Sequence, residues 1–365
     1  MSIKRVAKRA LLPLKQHYER RLHELRYIFF ELTHRCNLAC IHCGSDCQKN
    51  DTIPDLPTEK ILETLDGIKT KYDSHKVMIV LSGGEPTIYP GVWDLGKEII
   101  KREFPWGMVT NGFAWDADMI KKAKEARMHS VTVSLDGLEE THNWLRGDKK
   151  SFRKALHAIE LLLNDPFYRV MDVITCVNKR NIGELDKIYD LVKSMGLKRW
   201  RFFTISPIGR AVQTPDLFLD KEQFHYLMQK ILAYRRRPGM KVTYSESGYL
   251  GCYEHRVRGH DWFCRAGVNV AGIMVNGDIL ACPNIDRRFK QGNVFEQPFI
   301  DVWEHGYKEF RDRKWMRTGD CVKCSEWRLC QGNPMHLWDL DANQTKLCHL
   351  KQFELDKPLR GPDLD

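Results

Sequence analysis

The chain lacks any apolar run close to the roughly 20 residues that a membrane-crossing helix requires. It also lacks a signal-peptide core: the N-terminus is basic, but Leu11-Leu12-Pro13-Leu14 is too short. No internal repeat and no low-complexity tract interrupts it. These absences make the cytoplasm the expected location, with no transmembrane segment. In that reducing compartment disulfides are excluded as the general reason for twelve cysteines, which leaves metal ligation. Negative charge is scarce only at one end. The net charge of +10 is concentrated in Lys4, Arg5, Lys8, Arg9, Lys15, Arg20, Arg21 and Arg26, against Glu19 and Glu24. The rest of the positive charge is scattered, so no nucleic-acid partner is expected. The basic run reads as a solvated helix face, with an acidic partner or a membrane surface as the alternatives.

What the chain does have is a tight cysteine loop, Cys36-Asn37-Leu38-Ala39-Cys40-Ile41-His42-Cys43, directly after the strand-like run 27–33. Three thiolates on such a loop can hold three irons of a [4Fe–4S] cluster and leave the fourth open for chemistry. Spacing alone leaves zinc or three buried thiols open as well.

From Tyr27 the pattern alternates strands and helices. Strands are expected at 27–33, 77–81, 107–110, 130–135, 169–177 and 200–205, and helices near 58–72, 91–103, 116–127, 151–164, 182–196 and 221–236. Such repetition implies an α/β fold with a parallel sheet and right-handed crossovers. Residues 1–26 read as a basic helix interrupted or started at Pro13, docking through Leu14, Tyr18, Leu22 and Leu25. Asn276-Gly277 predicts a type I′ hairpin.

On these residues the chain resembles the radical S-adenosylmethionine (SAM) superfamily. The cysteine loop matches its CxxxCxΦC signature with His42 in the aromatic position. Ser82-Gly83-Gly84-Glu85-Pro86, Thr110-Asn111-Gly112 and Ser134-Leu135-Asp136-Gly137 match the segments that follow its second, third and fourth strands. The resemblance implies a partial (β/α)6 TIM-like barrel with chemistry at the C-terminal ends of the strands. It implies that Cys36, Cys40 and Cys43 hold the catalytic cluster. It also implies that His42, Gly83, Gly84, Glu85, Pro86, Asn111, Ser134 and Arg146 form the SAM site, with Gly83–Pro86 on the methionine amino group. Asn143 stands where the HDxxRG segment before Arg146 usually has Asp. Ser134 and Asn111 also read as caps of helices or turns.

The C-terminal cysteines resemble the SPASM extension, a small cysteine-rich iron–sulfur domain. Its expected ligands here are Cys264, Cys282, Cys321, Cys324, Cys330 and Cys348, for one or two auxiliary clusters. Pro334 occupies one usual cysteine position. Cys321, Cys324, Cys330 and Cys348 can complete one cluster. A second would have Cys264, Cys282 and Cys252, completed by His336 or Asp339, left with an open iron, reduced to a smaller cluster, or absent. One cluster from Cys264, Cys282, Cys321 and Cys324 is a further arrangement, and a zinc knuckle the plain alternative. Cys176 reads as a core thiol or a hydrogen donor, Cys47 as an incidental neighbour, and Arg210 as a carboxylate binder or a structural turn. The tryptophans after Trp262 read as packing.

The implied organisation is a basic segment 1–26, a radical SAM core 27–236, a bridge 237–262, an auxiliary-cluster domain 263–352 and a flexible tail 353–365. The implied activity is reductive cleavage of SAM and hydrogen abstraction from a peptide or protein, as in maturases, with some likeness to the radical SAM/lipoprotein subgroup. A flavodoxin or ferredoxin is the expected electron donor. A small cofactor precursor as substrate and a non-catalytic electron carrier are the alternatives.

Overall fold

The computed structural model describes residues 3–353 apart from 169, 246, 247 and 261; beyond Phe353, the expected tail lies outside these residues. After helix α1 (Ile3–Leu22), seven strands run parallel and lie side by side in chain order. They are β1 (Tyr27–Glu31), β2 (Met78–Ser82), β3 (Trp106–Thr110), β4 (Ser130–Ser134), β5 (Val170–Val177), β6 (Arg199–Thr204) and β7 (Lys241–Tyr244). The crossovers carry α2 (Thr58–Lys69), α3 (Val92–Lys101), α4 (Ala117–Glu125), α5 (Glu139–Arg146), α6 (Ser151–Asn164), α7 (Leu185–Ser194) and α8 (Lys221–Arg236).

Strand periodicity decides what each residue faces. Ile28, Phe30, Ile79, Leu81, Val131, Val133 and Val173 are fully buried in the main core. Each such side chain contributes on the order of 1.5–3 kcal/mol. Their strand neighbours Phe29, Val109, Ile174 and Phe203 line an open cavity instead. The helices sit close: a Cβ on Gly96 of α3 would lie 2.4 Å from the Trp106 ring.

The sheet is wider than the six expected strands. β7 falls in the stretch read as a bridge, where four alternating residues were too short a signal. On the other edge β8 (Val270–Ile273) pairs in parallel with β1, and β9 (Asp278–Leu280) and β10 (Gly292–Asn293) follow antiparallel. The C-terminal cysteine-bearing segment is therefore joined to the catalytic sheet at its first strand. The hairpin turn is not type I′. Gly277 alone is left-handed, with φ 83°, and its N–H donates to Met274 O at 2.8 Å. That is a type I turn closed by a glycine bulge, the usual three-residue alternative.

Two expectations for the N-terminal helix are corrected. α1 runs unbroken through Pro13. Its docked face is Leu12, Gln16 and Glu19, not Leu14, Tyr18 and Leu22, which are exposed. Polar partners explain the choice. Gln16 Nε2 donates to Leu329 O at 3.0 Å and its Oε1 accepts from Gln331, while Glu19 lies 3.5 Å from Arg26 and 3.6 Å from Arg265. Leu25 is buried as expected.

Candidate active site

The loop carrying Cys36, Cys40 and Cys43 leaves the C-terminal end of β1 and is held from several sides. Cys36 N–H donates to Gln48 O, while Ala39 and Ile41 N–H donate to Arg146 O and Leu145 O at the end of α5. Arg210 completes the frame: its Nε donates to Cys40 O at 3.0 Å, and its Nη1 to Cys47 O at 2.9 Å and Asp46 at 3.0 Å. Its guanidinium is thus engaged by the loop, which favours the structural reading of this residue. Gly209 allows the approach, since a Cβ there would lie 2.4 Å from Cys43 O.

Gly83 and Gly84 press against the chain entering the loop. A Cβ on Gly84 would lie 2.0 Å from Arg35 O, and one on Gly83 2.4 Å from Thr33 O. Pro86 then starts a short 3-10 turn. The Glu85 carboxylate is buried and bonded on both oxygens. Oε1 accepts from the Thr87 hydroxyl and the Thr110 hydroxyl, each at 2.7 Å, and Oε2 from Asn111 N–H at 2.8 Å. Burial raises its pKa, opposed by these bonds. Glu85 therefore ties β2 to β3, and what this segment can offer a ligand is its backbone. Asn111 caps a turn through Phe113 N–H and also reaches the loop, with Nδ2 2.7 Å from Asn37 Oδ1 and 3.8 Å from Cys36 Sγ.

Asp136 is the residue that sequence reasoning missed. It is fully buried, accepts from Arg146 Nε at 2.7 Å and from Cys176 N–H at 2.7 Å, and lies 3.7 Å from His42 Nε2. Arg146 Nη1 reaches Cys40 Sγ at 3.7 Å. Burial alone would raise the Asp136 carboxyl, but Arg146, His42 and His142 hold it below its ordinary value. Asp136 stood inside a quoted motif, and a buried arginine ten residues on was the available signal. Asn143 braces α6, with Oδ1 accepting from Phe152 N–H and the Ser151 hydroxyl.

These groups surround one cavity of about 570 Å³. Cys36, Cys40, Cys43, His42, Gly83, Gly84, Glu85, Asn111, Ser134 and Arg146 all line it. Pro86 is buried beside it as the first residue of its turn. Cys176, Cys282 and His336 line it as well.

The donor set fits an iron–sulfur cluster better than zinc. Burial pushes the Cys36 thiol up to about 12 and raises Cys40, a cost removed when metal displaces the protons. Cys43 is held low, chiefly by its hydrogen bond with Cys47, which raises Cys47 in turn. Zinc would draw its sulfurs to roughly 3.8 Å of one another, given Zn–S near 2.3 Å. Among the described residues only Glu31, His34 and Cys47 bring three ligand atoms within 4.8 Å of one another. His34 there faces acceptors on both ring nitrogens, Asp51 at 2.5 Å and Ser45 O at 2.9 Å, so it has no lone pair for a metal. The cavity also shows open positions. His42 Nδ1 is buried without a partner, and burial lowers this imidazole to about 4.

In the C-terminal region Cys321, Cys324, Cys330 and Cys348 gather. After burial, which raises them, Cys321, Cys330 and Cys348 are pushed up further by their cysteine neighbours. Cys264 stands elsewhere, fully buried beside Arg313, which holds its thiol low against burial. Cys282 faces the catalytic cavity, Cys252 is exposed, and Pro334 precedes the 3-10 turn Met335–Leu337. The structure thus groups four of the six expected auxiliary ligands and leaves the other two in different surroundings.

Comparison with known proteins agrees with this geometry. The profile of the radical SAM superfamily matches residues 30–192, and that of the SPASM iron–sulfur cluster-binding domain matches 264–325. Mycofactocin maturase MftC of Mycolicibacterium smegmatis is 28% identical over 356 residues, covering 96% of this chain and 84% of that protein. The AdoMet-dependent heme synthase of Methanosarcina barkeri is 26% identical over 331 residues, covering 84% and 90%. Among solved structures, anSMEcpe with bound AdoMet superposes with a TM-score of 0.70 at 17% identity, covering 90% and 95%. Streptococcus suis SuiB bound to the precursor peptide SuiA gives 0.68 at 17%, covering 87% and 74%. No described helix is long and apolar enough to cross a membrane. Residues 30–192 thus carry a radical SAM domain, which implies a [4Fe–4S] cluster and SAM, and residues 264–325 a SPASM domain, which implies auxiliary iron–sulfur clusters, in a chain whose relatives are enzymes.

Proposed function

We propose that this enzyme modifies a peptide or protein side chain, with Cys36, Cys40 and Cys43 holding the catalytic cluster and Cys321, Cys324, Cys330 and Cys348 an auxiliary one. The cavity carries the reading. A pocket for one drug-sized molecule takes roughly 300–1,000 Å³. At about 570 Å³ this cavity has room for SAM and an inserted side chain, whereas a tetrapyrrole macrocycle beside SAM would crowd it. The maturase relative aligned along 96% of the chain supports the same substrate class. The heme synthase relative supports the second reading, a small tetrapyrrole-type substrate.

A cluster held by Cys36, Cys40 and Cys43 would supply the electron for reductive cleavage of SAM and so the hydrogen-abstraction chemistry. The chain's own residues prepare that chemistry. Leu38 N–H and Asn111 Nδ2 donate towards Cys36 Sγ, and Arg146 towards Cys40 Sγ, so second-sphere donors temper the thiolates. The backbone of 83–85 meets the methionine end of SAM, and the hydroxyl of Ser134 and Nδ1 of His42 offer further polar contacts. Phe29, Val109, Ile174 and Phe203 keep the cavity wall apolar and limit water. Residues 27–236 act as the core and 263–352 as the auxiliary domain, with a flavodoxin or ferredoxin as reductant.

The test is anaerobic turnover with dithionite and SAM, reading 5′-deoxyadenosine. A low-mass peptide fraction should raise its formation above the substrate-free rate, and a tetrapyrrole should not. The reverse pattern removes the peptide reading, and no product in any arm removes catalysis.

A further inference from the structure

We propose that α1 lies on an anionic lipid surface, with its solvent-facing apolar stripe in the headgroup–acyl boundary. The stripe is Leu11, Leu14, Tyr18 and Leu22, exposed by 60%, 67%, 64% and 43%. Spacings of three, four and four residues put them on one helix face. Folding has buried the opposite, partly polar face of α1 and left its largest apolar side chains in water. That inversion distinguishes this helix from α2 and α3, whose apolar residues are the buried ones.

The charges around the stripe say what covers it. Lys15 and Arg21 are exposed, and at 100° per residue they fall on opposite flanks of the stripe, where long basic side chains can reach headgroups. Glu19, the one carboxylate within α1, is turned inward to Arg26 and Arg265. On the Arg21 side the stripe borders a cleft of about 740 Å³ whose lining includes Arg21, Lys308 and Arg328. The acidic groups in that lining are already compensated: Glu304 pairs with Lys71, and Asp312 with Lys314. An apolar stripe set in uncompensated positive charge is complementary to anionic lipid. A second copy of this chain would bring the same positive charge to the contact. The surface does not depend on the reading of the catalytic site.

Flotation of the full chain with vesicles tests it. The protein should rise with vesicles of equal parts phosphatidylcholine and phosphatidylglycerol, remain behind with phosphatidylcholine alone, and be released by high salt. The L14E/Y18E variant should lose flotation at least tenfold with unchanged circular dichroism and iron content. K15E/R21E, which keeps the stripe, should lose the preference for anionic vesicles. Absence of wild-type binding to anionic vesicles overturns the proposal, as does undiminished binding of both variants. So does a dimer in light scattering that L14E/Y18E dissociates while vesicles bind neither form.

Discussion

Asp136, fully buried, pairs with Arg146, which lines the cavity beside the cysteine loop and is largely buried, and the same guanidinium reaches Cys40 Sγ at 3.7 Å. The pair links the end of β4 to the end of α5 and sets the electrostatics on one side of the cysteine loop. Asp136 and Cys40 raise the Arg146 pKa against the burial that lowers it, so the cation is secure at any working pH.

Asp136→Asn should leave a buried, uncompensated arginine. Breaking such a pair costs on the order of 3–5 kcal/mol. Urea denaturation should show that loss, and reconstituted iron should fall with it. The pH dependence follows from the sign of the shift. The folded carboxyl lies below its ordinary ~3.9, so its contribution is present above that value and is lost only as pH falls through the lower folded value. Between pH 5 and 8, taken as a rough working range, the variant's deficit should therefore be flat. A deficit that disappears by pH 5 would contradict the ion-pair account.

Gly84→Ala tests the packing of segment 83–86 on the cysteine loop. The new Cβ would lie 2.0 Å from Arg35 O, which is backbone and cannot swing away. The expected outcome is a destabilisation above about 4 kcal/mol, or a folded protein with a displaced loop that retains no catalytic cluster. Thermal melting and the cluster's electron paramagnetic resonance signal would separate the two. Wild-type behaviour in both would refute the contact.

Much of this site was legible because its residues are neighbours in sequence: the cysteine loop, Gly83-Gly84 and Asn111 all follow strands whose periodicity is plain. What was hidden depends on distant partners. Arg210 read as a possible ligand binder because its partners Cys40, Asp46 and Cys47 lie far upstream. α1 read the wrong way round because Gln16 bonds to Leu329 and Glu19 pairs with Arg265, and no helical period reveals that. Cys264 and Cys282 share a motif, yet one lies beside Arg313 and the other in the catalytic cavity.

Acid should weaken the fold through buried neutral histidines. Burial lowers His142 and His349 to about 3 each, and both lie in the interior. The unfolded chain takes up these protons near pH 6.5 while the folded one does not, so stability falls as pH drops from 6.5 towards 3. Each histidine contributes a slope approaching about 1.4 kcal/mol per pH unit, which integrates to about 3 kcal/mol for the two between pH 6.5 and 5. Urea titrations at these two pH values give the slope directly. His349→Gln should flatten it by about a third, since His142 and His42, the latter lowered by burial to about 4, carry the rest, and an unchanged slope would mean that His349 is protonated in the native state.

The number of auxiliary clusters follows from which thiols meet. Cys321, Cys324, Cys330 and Cys348 influence one another, whereas Cys264 is matched by Arg313 and the usual partner position is Pro334. The Cys36→Ala/Cys40→Ala/Cys43→Ala protein, reconstituted anaerobically, should therefore retain about four irons. Adding Cys330→Ala should remove most of them, while adding Cys282→Ala should not. About eight irons in the triple variant would mean that Cys264 and Cys282 recruit a second cluster despite Pro334. Near zero, with the variant still folded by circular dichroism, would mean that the C-terminal thiols hold none, and the electron would then have to leave the cavity by another route.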